Sequence, residues 1–418
     1  MIKKDNLVVG LDIGTTKICT IIGEVDGRGE IDIIGLGLSP SRGLRKGVVI
    51  DLESTIESIK RSVHEAEVMS GIQVDSAYVG IAGGHIRGIN SRGVIAILGK
   101  NREIVQTDID RVIDAAKAVA LPVDREVIHV LPQEYIVDNQ DKIKQPLGMS
   151  GVRLEAEVHI VTGAVTSAQN IIKSVNRAGL EVKDIVLEQL ASSESTLTLD
   201  EKELGVAVVD IGGGTTDLAI FVDGSIRHTA VISLGGDNFT HDIAVGLRTP
   251  NLEAEQIKKD HGCVMAALLD ELETIDVPTV GRRKPRTVSR QVLAEIMEPR
   301  AEEIFGLVDR EIKSSGYGDL IPAGVVITGG SSLMMGMVEI SEQIFDLPVR
   351  IGVPTGFGGL ADVVRSPEYA TGVGLILYGL QNSQKRVNQK KVNFRPQNDS
   401  HLFQNILKRM KDWMRDFF

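Results

Sequence analysis

Cysteine is scarce in this chain of 418 residues: Cys19 and Cys263 are the only two. Two thiols cannot build a disulfide framework and read as reduced groups in a reducing compartment. No run of about 18 apolar residues occurs, so nothing is predicted to span a membrane. A secretory leader pattern is also missing: Met1–Asn6 is charged, and the apolar run from Leu7 ends at Asp12. A protein of the cytoplasmic side is expected. Basic residues are outnumbered, giving a net charge of −11. The imbalance is uneven: residues 381–418 carry nine Lys/Arg and three Asp/Glu, which leaves 37 basic and 54 acidic residues in the body. An acidic body argues against nonspecific nucleic-acid binding, and a basic tail argues for an anionic partner reached by the tail.

What the chain does have is 42% hydrophobic residues and 44 glycines, enough apolar surface for an α/β protein with many tight turns. Its length predicts about two or three domains. A glycine loop occurs twice, each time after an apolar strand. The first reads Asp12-Ile13-Gly14-Thr15-Thr16-Lys17 after Leu7–Leu11; the second reads Asp210-Ile211-Gly212-Gly213-Gly214-Thr215-Thr216-Asp217 after Val206–Val209. The surroundings repeat as well. Ile18–Val25, an Asp26-Gly27 turn and Ile31–Leu36 match Leu218–Val222, an Asp223-Gly224 turn and Ile226–Leu234. Asp-Gly between apolar runs is a strong hairpin signal. One such loop is compatible with an ordinary turn; two in register point to duplication and to a ligand held between similar halves.

Helical periodicity marks Ser54–Met69, through Ile56, Ile59, Val63 and Ala66, and marks Thr166–Ala178. Gly83–Gly163 reads as an α+β insert. Its order is strand (Ile86–Leu98), helix (Asp108–Val119, with Thr107 or Asp108 as N-cap), then strands near Val127, Tyr135 and Val158. A second insert, Asn238–Glu298, reads as mostly helical and contains Arg282-Arg283-Lys284-Pro285-Arg286. A further small-residue strand, Ala323–Thr328, ends in Gly329-Gly330-Ser331-Ser332, a turn on which a flat ring could lie.

The chemistry of the loops favours a polyphosphate. Glycines and threonines expose backbone N–H groups and hydroxyls to anionic oxygens. Lys17 can neutralise phosphate charge. Asp12 and Asp210 offer carboxylates to Mg²⁺ through water, because Mg²⁺ dehydrates reluctantly.

In their order along the chain, the Asp12 loop, the Asp210–Asp217 loop and Gly329-Gly330-Ser331 resemble the actin-like ATPase superfamily. Within it the whole chain, inserts and tail included, is similar to the FtsA family of bacterial division proteins. The resemblance implies an α/β fold of two ribonuclease-H-like domains with ATP and Mg²⁺ between them. The first insert would be subdomain 1C, the counterpart of actin's 1B but attached elsewhere. The implied bounds are 1–83 and 165–203 for subdomain 1A, 84–164 for 1C, 204–236 and 304–380 for 2A, and 237–303 for 2B. By the same resemblance Glu188 orients the attacking water, as the corresponding acid does in MreB. Glu255 and Lys258 lie on the adenosine-contacting helix, and Gly235, Gly236 and Asp237 form another turn near the nucleotide. Two positions depart from the superfamily pattern. Ser331 stands where a third glycine often closes the adenosine loop, and Gln189 stands where relatives often have Pro.

Gln381–Ser400 is polar and aperiodic, which predicts a flexible linker. Residues 401–418 then form an amphipathic pattern. Leu402, Phe403, Ile406, Leu407, Met410, Trp413, Met414, Phe417 and Phe418 lie on one helical face, with Lys408, Arg409, Lys411 and Arg415 opposite. The chain's one Trp and three of its nine Phe fall here. Such a helix lies in a membrane interface rather than spanning it. A docked terminal helix is the plainer alternative, but the polar linker, the aromatic enrichment and the positive charge oppose it.

The functional expectation is therefore an ATP-binding, polymer-forming division protein that tethers the FtsZ ring to anionic inner-leaflet lipids at the septum and recruits other division proteins. The FtsZ C-terminal peptide is expected on 2B, with Arg282, Arg283, Lys284 and Arg286 as one candidate for its acidic residues. A weak ATPase at most is expected. A small-molecule kinase of the superfamily is the main alternative, but no motif for a substrate base is present. An MreB-like filament protein usually carries its membrane helix at the other end. A heat-shock-type chaperone needs a large domain where only 38 residues follow Leu380.

Overall fold

Two apolar strands, Leu7–Ile13 and Val206–Ile211, are buried along their whole length, as strands covered on both faces are. Each pairs antiparallel with the strand beyond its glycine loop, Lys17–Val25 and Thr216–Val222. The registers match: Asp12 faces Cys19 and Asp210 faces Asp217. The computed structural model describes residues 6–99, 101–279 and 284–392, with side chains as far as residue 382.

The two halves repeat as whole sheets. One runs Glu181–Leu187, Ser76–Ile81, Leu7–Ile13, Lys17–Val25, Ile31–Pro40, with Gly358–Gly359 added at the edge. The other runs Val349–Ile351, Val325–Thr328, Val206–Ile211, Thr216–Val222, Ser225–Ile232. In both, the first three strands in sequence form an antiparallel meander and the next two join in parallel. The second meander turns at Asp223 and Gly224, both at positive φ (53° and 72°), the two-residue hairpin expected for Asp-Gly. The first turn is longer. There the Asp26 carboxylate accepts from the Arg28 and Glu30 amides, and Gly29 rather than Gly27 takes the positive φ.

Helix Leu52–Ser70 starts where the Asp51 carboxylate accepts from the Ser54 amide and stops at Gly71, φ 69°. It buries Ile56, Ile59, Val63 and Ala66, the residues that its period predicts. In the second half, helices Gly236–Gly246, Arg290–Ser315 and Met337–Phe345 pack on the sheet around Phe239, Phe305 and Phe345. Phe305 and Phe345 meet edge to face at 5.6 Å.

The first insert is a four-stranded antiparallel sheet, Arg87–Ala96, Arg153–Ala164, Arg125–Val137, Gln140–Ile143, covered by helix Gln106–Lys117. The strands expected near Val127 and Tyr135 are one bulged strand. Its helix starts earlier than predicted, after Val105. Asp108 serves that start from the third helical position, its carboxylate accepting from the Val105 amide. The second insert holds helices Gly236–Gly246 and Asn251–His261 and also a hairpin, Thr274–Val277 with Arg286–Ser289. Strands of four residues carry too little pattern, which explains why a mostly helical reading missed it. The 303/304 boundary falls inside helix Arg290–Ser315.

The chain divides into two compact units, Met1–Gly379 and Leu380–Phe418. Helix Ala370–Val392 contains all the described residues of the second unit. The first part of the expected linker is therefore helical. No Gly or Pro interrupts Gln381–Val392, and extending a helix that has already begun costs little.

Candidate functional site

The two glycine loops meet. A Cβ built on Gly213 would lie 1.7 Å from Thr16 Oγ1, and one on Gly214 would lie 2.6 Å from Thr15 Oγ1. Backbone from both halves thus lines a cavity of about 500 Å³. Asp12, Gly14, Thr15, Thr16 and Lys17 line it from one side; Asp210, Gly212, Gly213, Gly214, Thr215 and Asp217 line it from the other. Glu188 enters from the start of helix Glu188–Thr196, and Glu255, Lys258, Gly236, Gly329, Gly330 and Ser331 close the far end. Gly329 must be glycine: its φ is +83°, and a Cβ would fall 2.4 Å from Asp210 Oδ1.

Four of the carboxyl groups that line this cleft lie close enough to raise one another. Burial drives Asp12 up to about 7, opposed by Lys17 and reinforced by Asp210. Burial raises Asp210 to about 6 despite the Thr371 hydroxyl bonded to it at 3.0 Å. Asp217 rises to about 8 through burial and the charge of Asp210, against the pull of the Thr215 hydroxyl at 2.9 Å. Glu188 is raised well above the usual carboxylate range by burial, then by Asp12, Asp217 and Asp210. Lys17 is their nearby cation, and it also pairs with Glu368 at 2.6 Å and lies 4.2 Å over the Tyr369 ring. The cluster is short of positive charge. Among the described residues, no three His, Cys, Asp or Glu side chains converge tightly enough to hold a metal ion. A cation here would need water and ligand oxygens to complete its shell.

At the far end Lys258 is buried, pairs with Glu255 at 2.6 Å and donates to the Gly236 carbonyl at 3.0 Å. Burial would raise Glu255, but Lys258 and the Thr240 hydroxyl outweigh it and hold the carboxylate low. Four predicted residues support the cavity rather than line it. Thr216 Oγ1 donates to the Leu234 carbonyl at 3.0 Å, and Ser332 Oγ to that of Gly329 at 2.7 Å. Gly235 precedes the amides of Gly236 and Asp237, which donate to Gly212 and Gly213 carbonyls at 2.9 and 2.8 Å.

Sequence reasoning missed Glu368, Thr371, Lys259, Met334 and Gly47, which also line the cavity. Glu368, Thr371 and Gly47 arrive through the fold from segments without a motif, whereas Lys259 adjoins Lys258 and Met334 follows the Gly329–Ser332 turn. Of the basic run, Arg282 and Arg283 lie outside the described residues. Arg286 donates to the Leu247 carbonyl, and the Lys284 carbonyl accepts from Thr279. The membrane-face residues Leu402–Phe418 also lie outside the described residues. No helix among the described residues is long and apolar enough to cross a membrane.

A second groove, about 510 Å³, lies on the second insert between helices Gly236–Gly246 and Arg290–Ser315. Val245, Gly246, Ile296 and Pro299 form its apolar part. His241, Asp242, Arg300 and Glu303 form its polar part, and Arg300 pairs with Asp242 at 2.7 Å.

Known proteins share this architecture. The structure superposes on the PilM-PilN type IV pilus biogenesis complex with a TM-score of 0.65, at 16% identity, covering 89% of this chain and 98% of that one. It matches MreB 5 of Spiroplasma citri bound to AMPPNP with a TM-score of 0.55, at 15% identity, covering 92% and 99%. At such identities the likeness speaks for an actin-like ATPase fold alone. Sequence goes further. The family model for cell division protein FtsA matches residues 207–374, and that for the SHS2 domain inserted in FtsA matches 83–162. Cell division protein FtsA of Pseudomonas aeruginosa is 54% identical over 417 residues, covering 100% of this chain and 99% of that protein. Its counterparts in Escherichia coli K12 and Bacillus subtilis are 41% and 40% identical, covering 99% and 94% of this chain and 98% and 87% of theirs. With the duplicated sheets, the paired glycine loops and the inserted domain all accounted for, the chain belongs to the FtsA family of cell division proteins.

Proposed function

We propose that the protein binds ATP with Mg²⁺ in the cleft between its two halves and, in that state, assembles into filaments that tether FtsZ to the cytoplasmic membrane at the septum. The observation that carries this reading is the meeting of the two glycine loops over a cluster of buried carboxyl groups short of positive charge. The triphosphate would take the backbone amides of Gly14–Thr16 and Gly213–Thr215 and the ammonium of Lys17; the Gly212 amide closes the loop on the Thr215 carbonyl at 3.0 Å. Gly329–Ser331, Met334, Glu255 and Lys258 would hold the nucleoside. Mg²⁺ supplies the counter-charge, with Asp12 and Asp210 holding its waters. Glu188 would orient the attacking water, and a weak ATPase at most is expected. The MreB relative captured with AMPPNP supports the nucleotide class.

Tail energetics favour a reversible anchor. Each large apolar side chain buried in an interface contributes at most roughly 1.5–3 kcal/mol. Each basic residue near an anionic leaflet adds about 1 kcal/mol. Ordering the helix costs about 1–2 kcal/mol per residue. One tail therefore binds weakly, and many tails on one filament bind firmly, since later contacts are intramolecular. The groove between Val245, Ile296 and Arg300 would seat the FtsZ peptide on 2B; Arg286 bonds the Leu247 carbonyl, next to Gly246 in its lining. Calorimetric titration with AMPPNP tests the nucleotide reading. One site per chain, dependent on Mg²⁺, is expected; no binding at millimolar nucleotide would overturn it.

A further inference from the structure

Glu188 is the first residue of its helix and lines the cleft, so whatever fixes that beginning fixes Glu188. Position 189 is Gln, and no proline ring presets the first turn. The residue before, Leu187, caps the helix in a non-helical conformation (φ −59°, ψ 128°) without a side-chain cap. Its amide is a buried donor, and such a donor needs a partner. The partner comes from the first insert: His129 Nε2 accepts from Leu187 N at 3.0 Å. His129 sits on strand Arg125–Val137, opposite Val161, and is buried edge to face against Tyr378 at 6.2 Å. Burial lowers its pKa to about 4, so the ring is neutral at physiological pH. On the other side, the Gln189 side-chain amide is buried and reaches the second-half strand at Ala230 O, 3.5 Å away. Behind Glu188, a Cβ on Gly80 would lie 3.2 Å from its Cγ, so the carboxyl group rests on bare backbone. The acid is thus held by the insert before it, by the second half after it, and by strand Ser76–Ile81 behind it.

We infer that His129 is a positioning residue for Glu188, through which the first insert sets the entry of the connecting helix and hence the reach of its acid. This rests on the nucleotide reading above. It also makes the insert part of the reaction centre's scaffold rather than an appendage. The same insert grips the second half. His159 Nε2 bonds Thr229 Oγ1 at 2.8 Å, Gln133 Nε2 donates to the Ile226 carbonyl at 2.8 Å, and Arg227 pairs with Glu134 at 3.2 Å. The insert thus ties the start of the connecting helix to the strand that carries Ala230, and a partner that shifts the insert would act on both.

Because a backbone amide can only donate, Nε2 must be bare and the proton must sit on Nδ1. Histidine-selective ¹⁵N spectra of the full chain should show, beside His159, whose Nδ1 donates to Asn90 Oδ1, a second Nδ1–H tautomer that is absent in His129→Gln. A protonated or Nε2–H ring at His129 would overturn the inference. His129→Phe keeps the bulk and removes the acceptor, whereas His129→Gln replaces it with a carbonyl near the same place. With Phe, the Leu187 amide should exchange at least about fivefold faster. Phosphate release in a single turnover should fall by about tenfold with AMPPNP affinity within about twofold, and Gln should restore both. Unchanged Leu187 exchange in a folded Phe variant would overturn the positioning role, as would a Gln variant as impaired as Phe. If the Phe variant does not fold, the tautomer and the Gln variant decide alone. Failure of the wild type to bind AMPPNP would instead remove the nucleotide reading, and leave the Leu187 exchange result standing.

Discussion

Replacing Asp217 by Asn should stabilise the nucleotide-free protein at alkaline pH and change little in acid. Asp217 is buried opposite Asp210, and its carboxyl group is raised from 3.8 to about 8. The folded state thus holds this proton more tightly than the unfolded chain does. Below roughly pH 4 both states are protonated and the group costs nothing. As pH rises the unfolded chain releases its proton first, so stability declines by up to about 1.4 kcal/mol per pH unit and levels off once the folded group has ionised. That bounds the cost at roughly 5–6 kcal/mol above pH 8. Asp210 and Asp12 share in the same titration, so about 2–3 kcal/mol is the expected gain on removing one charge. Asn keeps an oxygen to accept from Thr215 Oγ1, now 2.9 Å away. The assay is urea unfolding of both proteins, without nucleotide or Mg²⁺, at about pH 5 and about pH 8.5. The variant's midpoint should exceed the wild type's by roughly 0.5–1 M urea at the higher pH and by much less at the lower. A variant no more stable at pH 8.5 would refute the claim that the cleft confines uncompensated negative charge.

Glu134→Gln should leave the Arg227 guanidinium, itself largely buried, without its 3.2 Å partner. We expect a loss of about 2–3 kcal/mol in thermal or urea unfolding, little of it recovered by Asp223 at 3.9 Å. Gly80→Ala places a methyl group 3.2 Å from Glu188 Cγ and 3.3 Å from its Oε1. Phosphate release should fall roughly tenfold while AMPPNP affinity stays within about twofold; equal losses in both would mean that Glu188 helps bind nucleotide rather than orient water.

The duplicated strands and both glycine loops were legible in sequence because they are local. An apolar run, an Asp and a Gly-Thr turn need no distant partner to declare themselves, and the registers Asp12–Cys19 and Asp210–Asp217 repeat as the motifs do. Helix Leu52–Ser70 was legible for the same reason: its period names the face that it buries. The hairpin Thr274–Val277 with Arg286–Ser289 was not, since four-residue strands carry too little pattern. Glu368 and Thr371 reach Lys17 and Asp210 across more than a hundred positions, a contact that only the closed fold creates. His129 was invisible as well. A lone histidine on a strand gives no hint that its ring will cap a helix in another subdomain.

The proposed division of labour, nucleotide in the cleft and anchorage in the tail, is tested most directly by co-sedimentation with anionic phospholipid vesicles, with and without ATP and Mg²⁺. The full chain should pellet with vesicles, more so with ATP, and form filaments on them visible by electron microscopy. Trp413→Glu, or removal of Leu402–Phe418, should abolish pelleting and leave AMPPNP affinity unchanged. Persistent co-sedimentation of the tail-less chain, or membrane binding indifferent to nucleotide, would contradict the account.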